Sequence, residues 1–245
     1  MPRWGKRQAQ FMATGSAEFA PWLGVFETLR VINGIPLFVA EHREELERAM
    51  EALGLQSDED IASAASELPP RSGRWRWIVT PQETRMLFSE EEATSQERLT
   101  LSVSPVRVGS CNWDARFKTL SYLSHVQAWK SSATSEAVLL NEQGHVASAS
   151  RGNIFWRRGD RLFTPAHEAG CRCGVVRAFV AKHQRVETGH FPITDLLEAE
   201  EIFVTNSIKG IASVAEFGGR SFTAFPSADR LRDEYAAAVA AQIKR

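Results

Sequence analysis

Lys118, in the run Arg116-Phe117-Lys118-Thr119-Leu120-Ser121-Tyr122-Leu123, is the residue of this chain best placed to do chemistry. An apolar surround disfavours the ammonium form, and a neutral amine attacks carbonyl carbon and forms Schiff bases. Phe117, Leu120 and Leu123 would supply that surround. A lone lysine is ordinarily a solvated surface charge. Three segments downstream give this one company: Gly152-Asn153-Ile154-Phe155, Gly174-Val175-Val176-Arg177, and Phe203-Val204-Thr205-Asn206-Ser207 running into Gly210-Ile211. Read singly, Gly174-Val175-Val176-Arg177 is a plain helix start and Thr205-Asn206-Ser207 an ordinary turn.

Metal chemistry is not expected. Cys171-Arg172-Cys173 lacks the usual two-residue gap of a ligand pair, and no second Cys/His pair stands near it. The six histidines are scattered, and three cysteines cannot all pair within the chain. They read as small buried or half-buried thiols. A net charge of −1 gives no reason to expect nucleic-acid or anionic-membrane binding. No apolar stretch approaches the length of a membrane span, and the basic start Met1-Pro2-Arg3-Trp4-Gly5-Lys6-Arg7 leads into no apolar run. A cytoplasmic protein is the expectation.

The elements that must position these residues follow from periodicity. Val25 to Ile32 reads as a strand closed by the hairpin signal Asn33-Gly34. Glu41 to Leu53 puts Leu46, Ala49, Met50 and Leu53 on one helical stripe, with Gly54 as the stop. Ser57 with Asp60 resembles a capping box opening a helix to about Leu68, which Pro69-Pro70 must end. Trp75, Trp77 and Val79 alternate along a strand, as do Leu99, Leu101 and Val103 before Pro105. This half reads as a small N-terminal α+β domain over residues 1–108. After a linker at Gly109–Asn112, residues 109–245 form a larger C-terminal α/β domain carrying Lys118. Its elements are a helix from Ser121 to Ser131 with Leu123, Val126 and Trp129 inward, a strand at Ala137–Leu140, a hairpin around Gly159-Asp160, a helix from Val175, a strand at Ile202–Thr205, and a last helix capped by Ser227.

In this order, the lysine and the three segments resemble the fold-type IV pyridoxal phosphate enzymes, also called class IV aminotransferases, from about Gly24 to Val214. That family includes branched-chain and D-amino-acid aminotransferases and 4-amino-4-deoxychorismate lyase. The Lys-Thr-Leu-Ser-Tyr-Leu spacing is closer to the lyases and D-amino-acid enzymes than to the branched-chain ones. The Gly24-Val25-Phe26-Glu27-Thr28 run resembles the family segment bordering the substrate. The resemblance implies a two-domain α+β, D-amino-acid aminotransferase-like fold with pyridoxal 5'-phosphate in the interdomain cleft. Lys118 would be the Schiff-base lysine and proton carrier; the amides of Val175 and Val176, with Asn206 and Ser207, would hold the phosphate. A small amino-acid-like substrate and a homodimer are implied with it.

Two positions depart from the family pattern. Where the family has a phosphate-gripping arginine three residues after a helix-start histidine, this chain follows His42 with Glu45. A carboxylate ~4 Å from a phosphate charge would cost about 4 kcal/mol at an effective dielectric of 20. Arg48, one turn on, is the first candidate substitute; the plain alternative is a solvated helix charge. Five residues before Asn153, where the family's glutamate keeps the ring nitrogen protonated, stands Ser148. A serine there can donate to a neutral ring nitrogen but cannot hold its proton by charge, which hurts amino transfer more than elimination. The expected activity is therefore lyase-type or aminotransferase-type. The rival is a family member that has lost catalysis and serves as a binding or scaffold protein, with Ser148 an ordinary strand residue.

Overall fold

The computed structural model describes residues 23–59, 61–91 and 98–244. The basic start of the chain and Asp60 of the expected capping box lie outside them. Strand β1 (Val25–Ile32) pairs antiparallel with β3 (Gly73–Val79), which pairs with β4 (Thr84–Glu90), and the short β2 (Ile35–Pro36) closes the other edge. The β1–β2 connection is Asn33-Gly34, both at positive φ (50° and 84°), as a two-residue hairpin turn demands. Helix α1 (Val39–Leu53) lies against this sheet, burying Leu46, Ala49 and Leu53 in one core with Trp75, Trp77 and Val79. Gly54 ends it at φ 67°. The second helix is shorter than expected, α2 (Ile61–Ala65). Ser57 does not open it: its hydroxyl is 2.8 Å from that of Thr84 and accepts from the backbone N–H of Glu59.

The larger sheet runs β10-β9-β8-β11-β12-β5-β6-β7, with β13 (Arg220–Ser221) paired to β12. Its strands are β5 (Leu99–Val108), β6 (Glu136–Asn141), β7 (Val146–Ala149), β8 (Asn153–Arg158), β9 (Arg161–Pro165), β10 (Val186–Gly189), β11 (Glu201–Asn206) and β12 (Gly210–Phe217). β5 lies parallel between β6 and β12. The strand expected to finish the N-terminal half thus hydrogen-bonds into the second sheet. It also runs past Pro105; the ladder with β6 slips between Val103 and Arg107, an irregularity that accommodates a residue without an N–H.

Five helices complete the C-terminal part of the described residues: α3 (Trp113–Arg116), α4 (Leu123–Lys130), α5 (Val175–His183), α6 (Ile193–Leu197) and α7 (Pro226–Ile243). In α4 the buried face is His125 and Ala128, while Leu123 is 75% and Trp129 38% exposed. The expected inward stripe is therefore rotated outward. α7 starts with Pro226, and Ser227 is not its cap: the buried Glu201 carboxylate accepts the backbone N–H groups of Ser227 (3.1 Å) and Ala228 (2.7 Å). A carboxylate at a helix start satisfies orphan donors and complements the dipole. No described helix is long and apolar enough to cross a membrane.

Candidate active site

Lys118 sits between α3 and α4, and backbone hydrogen bonds fix it to β1. The N–H of Phe26 donates to the Lys118 carbonyl (2.8 Å) and the N–H of Leu120 to that of Gly24 (2.9 Å). Its side chain enters a cleft walled by the first sheet, α1 and the larger sheet. Nζ lies 3.2 Å from Glu27 Oε2 and 5.6 Å from the centre of the Phe26 ring. The apolar surround is thus Phe26, Phe117 and Leu120 rather than Leu123, which faces solvent.

Glu27 is the residue that sequence reasoning missed. Its carboxylate is buried and accepts from Lys118, from the backbone N–H of Thr28 (3.2 Å) and, at 2.8 Å, lies against His42 Nδ1. Burial by itself would raise this carboxyl, but the Lys118 charge and the His42 hydrogen bond outweigh it and hold it at about 2. The signal was a carboxylate in phase with Val25, Leu29 and Val31, the apolar face of the strand. Glu27, Thr28 and Leu29 are buried in succession, breaking the alternation of β1.

At the other end of the cleft Gly174 opens α5, and no side chain caps it. A Cβ on Gly174 would stand 2.4 Å from Asn153 Oδ1, and Asn153 Nδ2 donates to the Arg172 carbonyl at 2.8 Å. Asn153 therefore clamps the turn from which the amides of Val175 and Val176 emerge. Ser207 lines the same cleft, as does Asn206, whose Oδ1 accepts the N–H groups of Ile208 (3.1 Å) and Lys209 (2.8 Å) and shapes the turn. Three cleft-lining side chains bury polar atoms that no group among the described residues satisfies: Thr205 Oγ1, Arg116 Nε and Arg172 Nη1. Donors left in this state suit an anionic, acceptor-rich occupant.

The narrow inner cleft, about 80 Å³, shares Phe26, Lys118, Tyr122, Arg151, Asn206 and Ser207 with an outer chamber of about 490 Å³. Tyr122 forms part of the partition, its hydroxyl accepting from Arg172 Nη2 at 2.7 Å and its ring stacked on His125 at 4.6 Å. Burial and then the Arg172 charge push His125 down to about 2. Beside the helix start, Cys173 Sγ lies 3.6 Å from His167 Nδ1. That hydrogen bond lowers the thiol and raises the imidazole, whereas burial raises Cys171. No cluster able to hold a metal occurs among the described residues.

The sequence profile of the Amino-transferase class IV family matches residues 24–217. The chain belongs to this family. Aminodeoxychorismate lyase of Bacillus subtilis is 26% identical to it over 218 residues, covering 76% of this chain and 74% of the relative. Among solved structures, 4-amino-4-deoxychorismate lyase from Pseudomonas aeruginosa superposes with a TM-score of 0.77 at 22% identity, covering 88% of this chain and 90% of that one. An aminotransferase from Brucella abortus bound to the cofactor PLP gives 0.76 at 20% identity, covering 91% and 92%. The fold is that of the class IV aminotransferases, and the chain is a lyase- or aminotransferase-type enzyme of this pyridoxal-phosphate-dependent family.

Two residues expected at the cofactor of this class IV enzyme stand elsewhere. Arg48 is absent from the cleft wall. It is half exposed and binds Glu45 through Nη2, so it neutralises the carboxylate at the family's arginine position instead of facing an anion. Ser148 lies on β7, 2% exposed and outside the cleft-lining set, its hydroxyl unpartnered.

Proposed function

We propose that this protein is a pyridoxal-phosphate-dependent lyase of the aminodeoxychorismate type, releasing pyruvate from an acidic, ring-bearing amino compound. The carrying observation is that Lys118 Nζ and the uncapped start of α5 open into one cleft, leaving an amine at one end and free backbone donors at the other. The residues fit the cofactor. Lys118 would take its aldehyde, the amides of Val175 and Val176 with Ser207 would take its phosphate, and the unsatisfied donors of Thr205 and Arg172 lie along the wall. Bound there, the cofactor would supply an electron sink for cleavage at the substrate's α-carbon.

The chain's own residues divide the remaining work. Lys118 takes the proton from the α-carbon and supplies one to the departing pyruvate fragment, and Glu27 holds Nζ in place from a position anchored by His42. Tyr122 and Arg172 keep the partition between the two chambers fixed. In the outer chamber Arg76 lies 5.3 Å over the Phe26 ring and donates to Thr28, with no carboxylate partner among the described residues. Lys209 lines the same wall, also without a carboxylate partner there. Two uncompensated cations beside Phe26, Tyr122 and Trp129 suit an anionic substrate with a flat ring.

Elimination is favoured over amino transfer because, among the described residues, the cleft offers the ring nitrogen no free carboxylate. Glu27 is engaged by Lys118 and His42, Glu45 by Arg48, and the family's glutamate position holds Ser148. The test is the visible absorbance of the purified protein with added pyridoxal phosphate, in wild type and Lys118→Ala, followed by assays for pyruvate release from aminodeoxychorismate and keto-acid formation from amino acids. Absorbance that requires Lys118, with pyruvate release and weak amino transfer, is expected. A colourless protein would favour the scaffold reading, and brisk amino transfer would overturn the argument from Ser148.

A further inference from the structure

The pairing of Arg48 with Glu45 leaves the phosphate end of the cleft without the cation that the family pattern places there. A different arginine faces it. Arg116 ends α3, two residues before Lys118, and lines the cleft with Glu45, Cys173, Gly174, Val175 and Val176. Its Nε is buried with no partner, and its guanidinium makes no ion pair or hydrogen bond among the described residues. A half-buried arginine whose Nε is shielded from water and has no counter-charge gains a partner when an anion enters the cleft.

The local backbone explains its direction. Phe117 is extended (φ −123°, ψ 160°), which puts the side chains of Arg116 and Lys118 on one side of the chain, as in a strand. The N–H of Phe117 donates to the Trp113 carbonyl (2.7 Å), while the Lys118 carbonyl is bound to β1, so both ends of this dipeptide are fixed. The Arg116 charge is also felt by His167, the partner of Cys173, which immediately precedes Gly174. Arg116 and the start of α5 thus line the same end of the cleft. The Arg48 charge also acts on Cys173, but Arg48 lies outside the cleft wall and already has its carboxylate.

We propose that Arg116 is the residue that grips the cofactor phosphate in this chain, taking the role that the family gives to the position occupied here by Glu45; the inference rests on the cofactor reading above. One short segment would then present both the amine and the phosphate cation, with Glu45 and Arg48 acting as a neutral pair.

The test is equilibrium binding of pyridoxal phosphate and of pyridoxal, which lacks the phosphate, to the full chain, read by the absorbance and fluorescence of bound cofactor. Losing a charge-assisted contact should weaken pyridoxal phosphate about tenfold to a hundredfold in Arg116→Gln and leave pyridoxal unchanged. Arg116→Lys, which keeps the charge, should recover much of the loss. Glu45→Gln/Arg48→Gln should change pyridoxal phosphate affinity by no more than about threefold. Retained affinity in Arg116→Gln, an equal loss for both ligands, or a loss confined to the Glu45/Arg48 double variant would each overturn the proposal. Should wild type take up neither compound, the cofactor reading itself fails, and this inference with it.

Discussion

Replacing Glu27 by glutamine removes the charge that holds Lys118 and His42 while keeping the shape of the side chain. The carboxyl sits at about 2 in the folded protein against an ordinary 4.5. Its folded value is depressed, so its stabilising contribution is complete above 4.5 and is lost as pH falls toward 2. The depressed value corresponds to about 3 kcal/mol at neutral pH, of which roughly half remains at pH 3. Glu27 is only 7% exposed, so solvent screening takes little from these figures. Urea unfolding of wild type and Glu27→Gln at pH 7, 5, 4 and 3 measures the difference directly, because the other carboxylates titrate in both proteins. The gap should be about 3 kcal/mol at pH 7 and close by roughly half at pH 3. Parallel pH curves with a constant gap would refute the pairing of Glu27 with Lys118 and His42.

Other consequences follow from the same structure. His125 is held neutral, at about 2 against an ordinary 6.5, so wild-type stability should fall as pH drops below 6.5, by up to about 1.4 kcal/mol per unit. His125→Phe should flatten that slope in thermal melts between pH 6.5 and 4.5, and an unchanged slope would refute it. Cys173, lowered by His167, should react with iodoacetamide at a pH where Cys171, raised by burial, stays inert. Peptide mass spectrometry should show this selectivity lost in His167→Gln. Gly174→Ala must displace Asn153, whose Oδ1 would lie 2.4 Å from the new Cβ. About 1–3 kcal/mol of destabilisation and weaker pyridoxal phosphate uptake are expected, and a variant with wild-type melting and uptake would contradict the clamp.

The strands and the site segments were legible because each rule involved is local. Asn33-Gly34 sets a turn by its own φ values, Trp75 and Trp77 alternate, and Gly174 opens a helix. What was hidden depended on partners distant in sequence. β5 joins the second sheet because β6 and β12 lie on either side of it, which no periodicity within Leu99–Val108 discloses. Arg48 looked free on its helical face, yet Glu45 three residues away takes it. Glu27 read as part of a family-like run, and its role appears only when β1 brings it to Lys118, 91 residues later. Arg116 gave no signal at all until the extended Phe117 turned it to the side of Lys118.

Reduction of the pyridoxal-phosphate-loaded protein with borohydride, followed by peptide mass mapping, addresses the amine on which the account rests. The account predicts a pyridoxyl group on Lys118 and an unmodified Lys209, the other lysine of the chamber. A label on Lys209, or an unmodified Lys118 in protein that had taken up the cofactor, would contradict it.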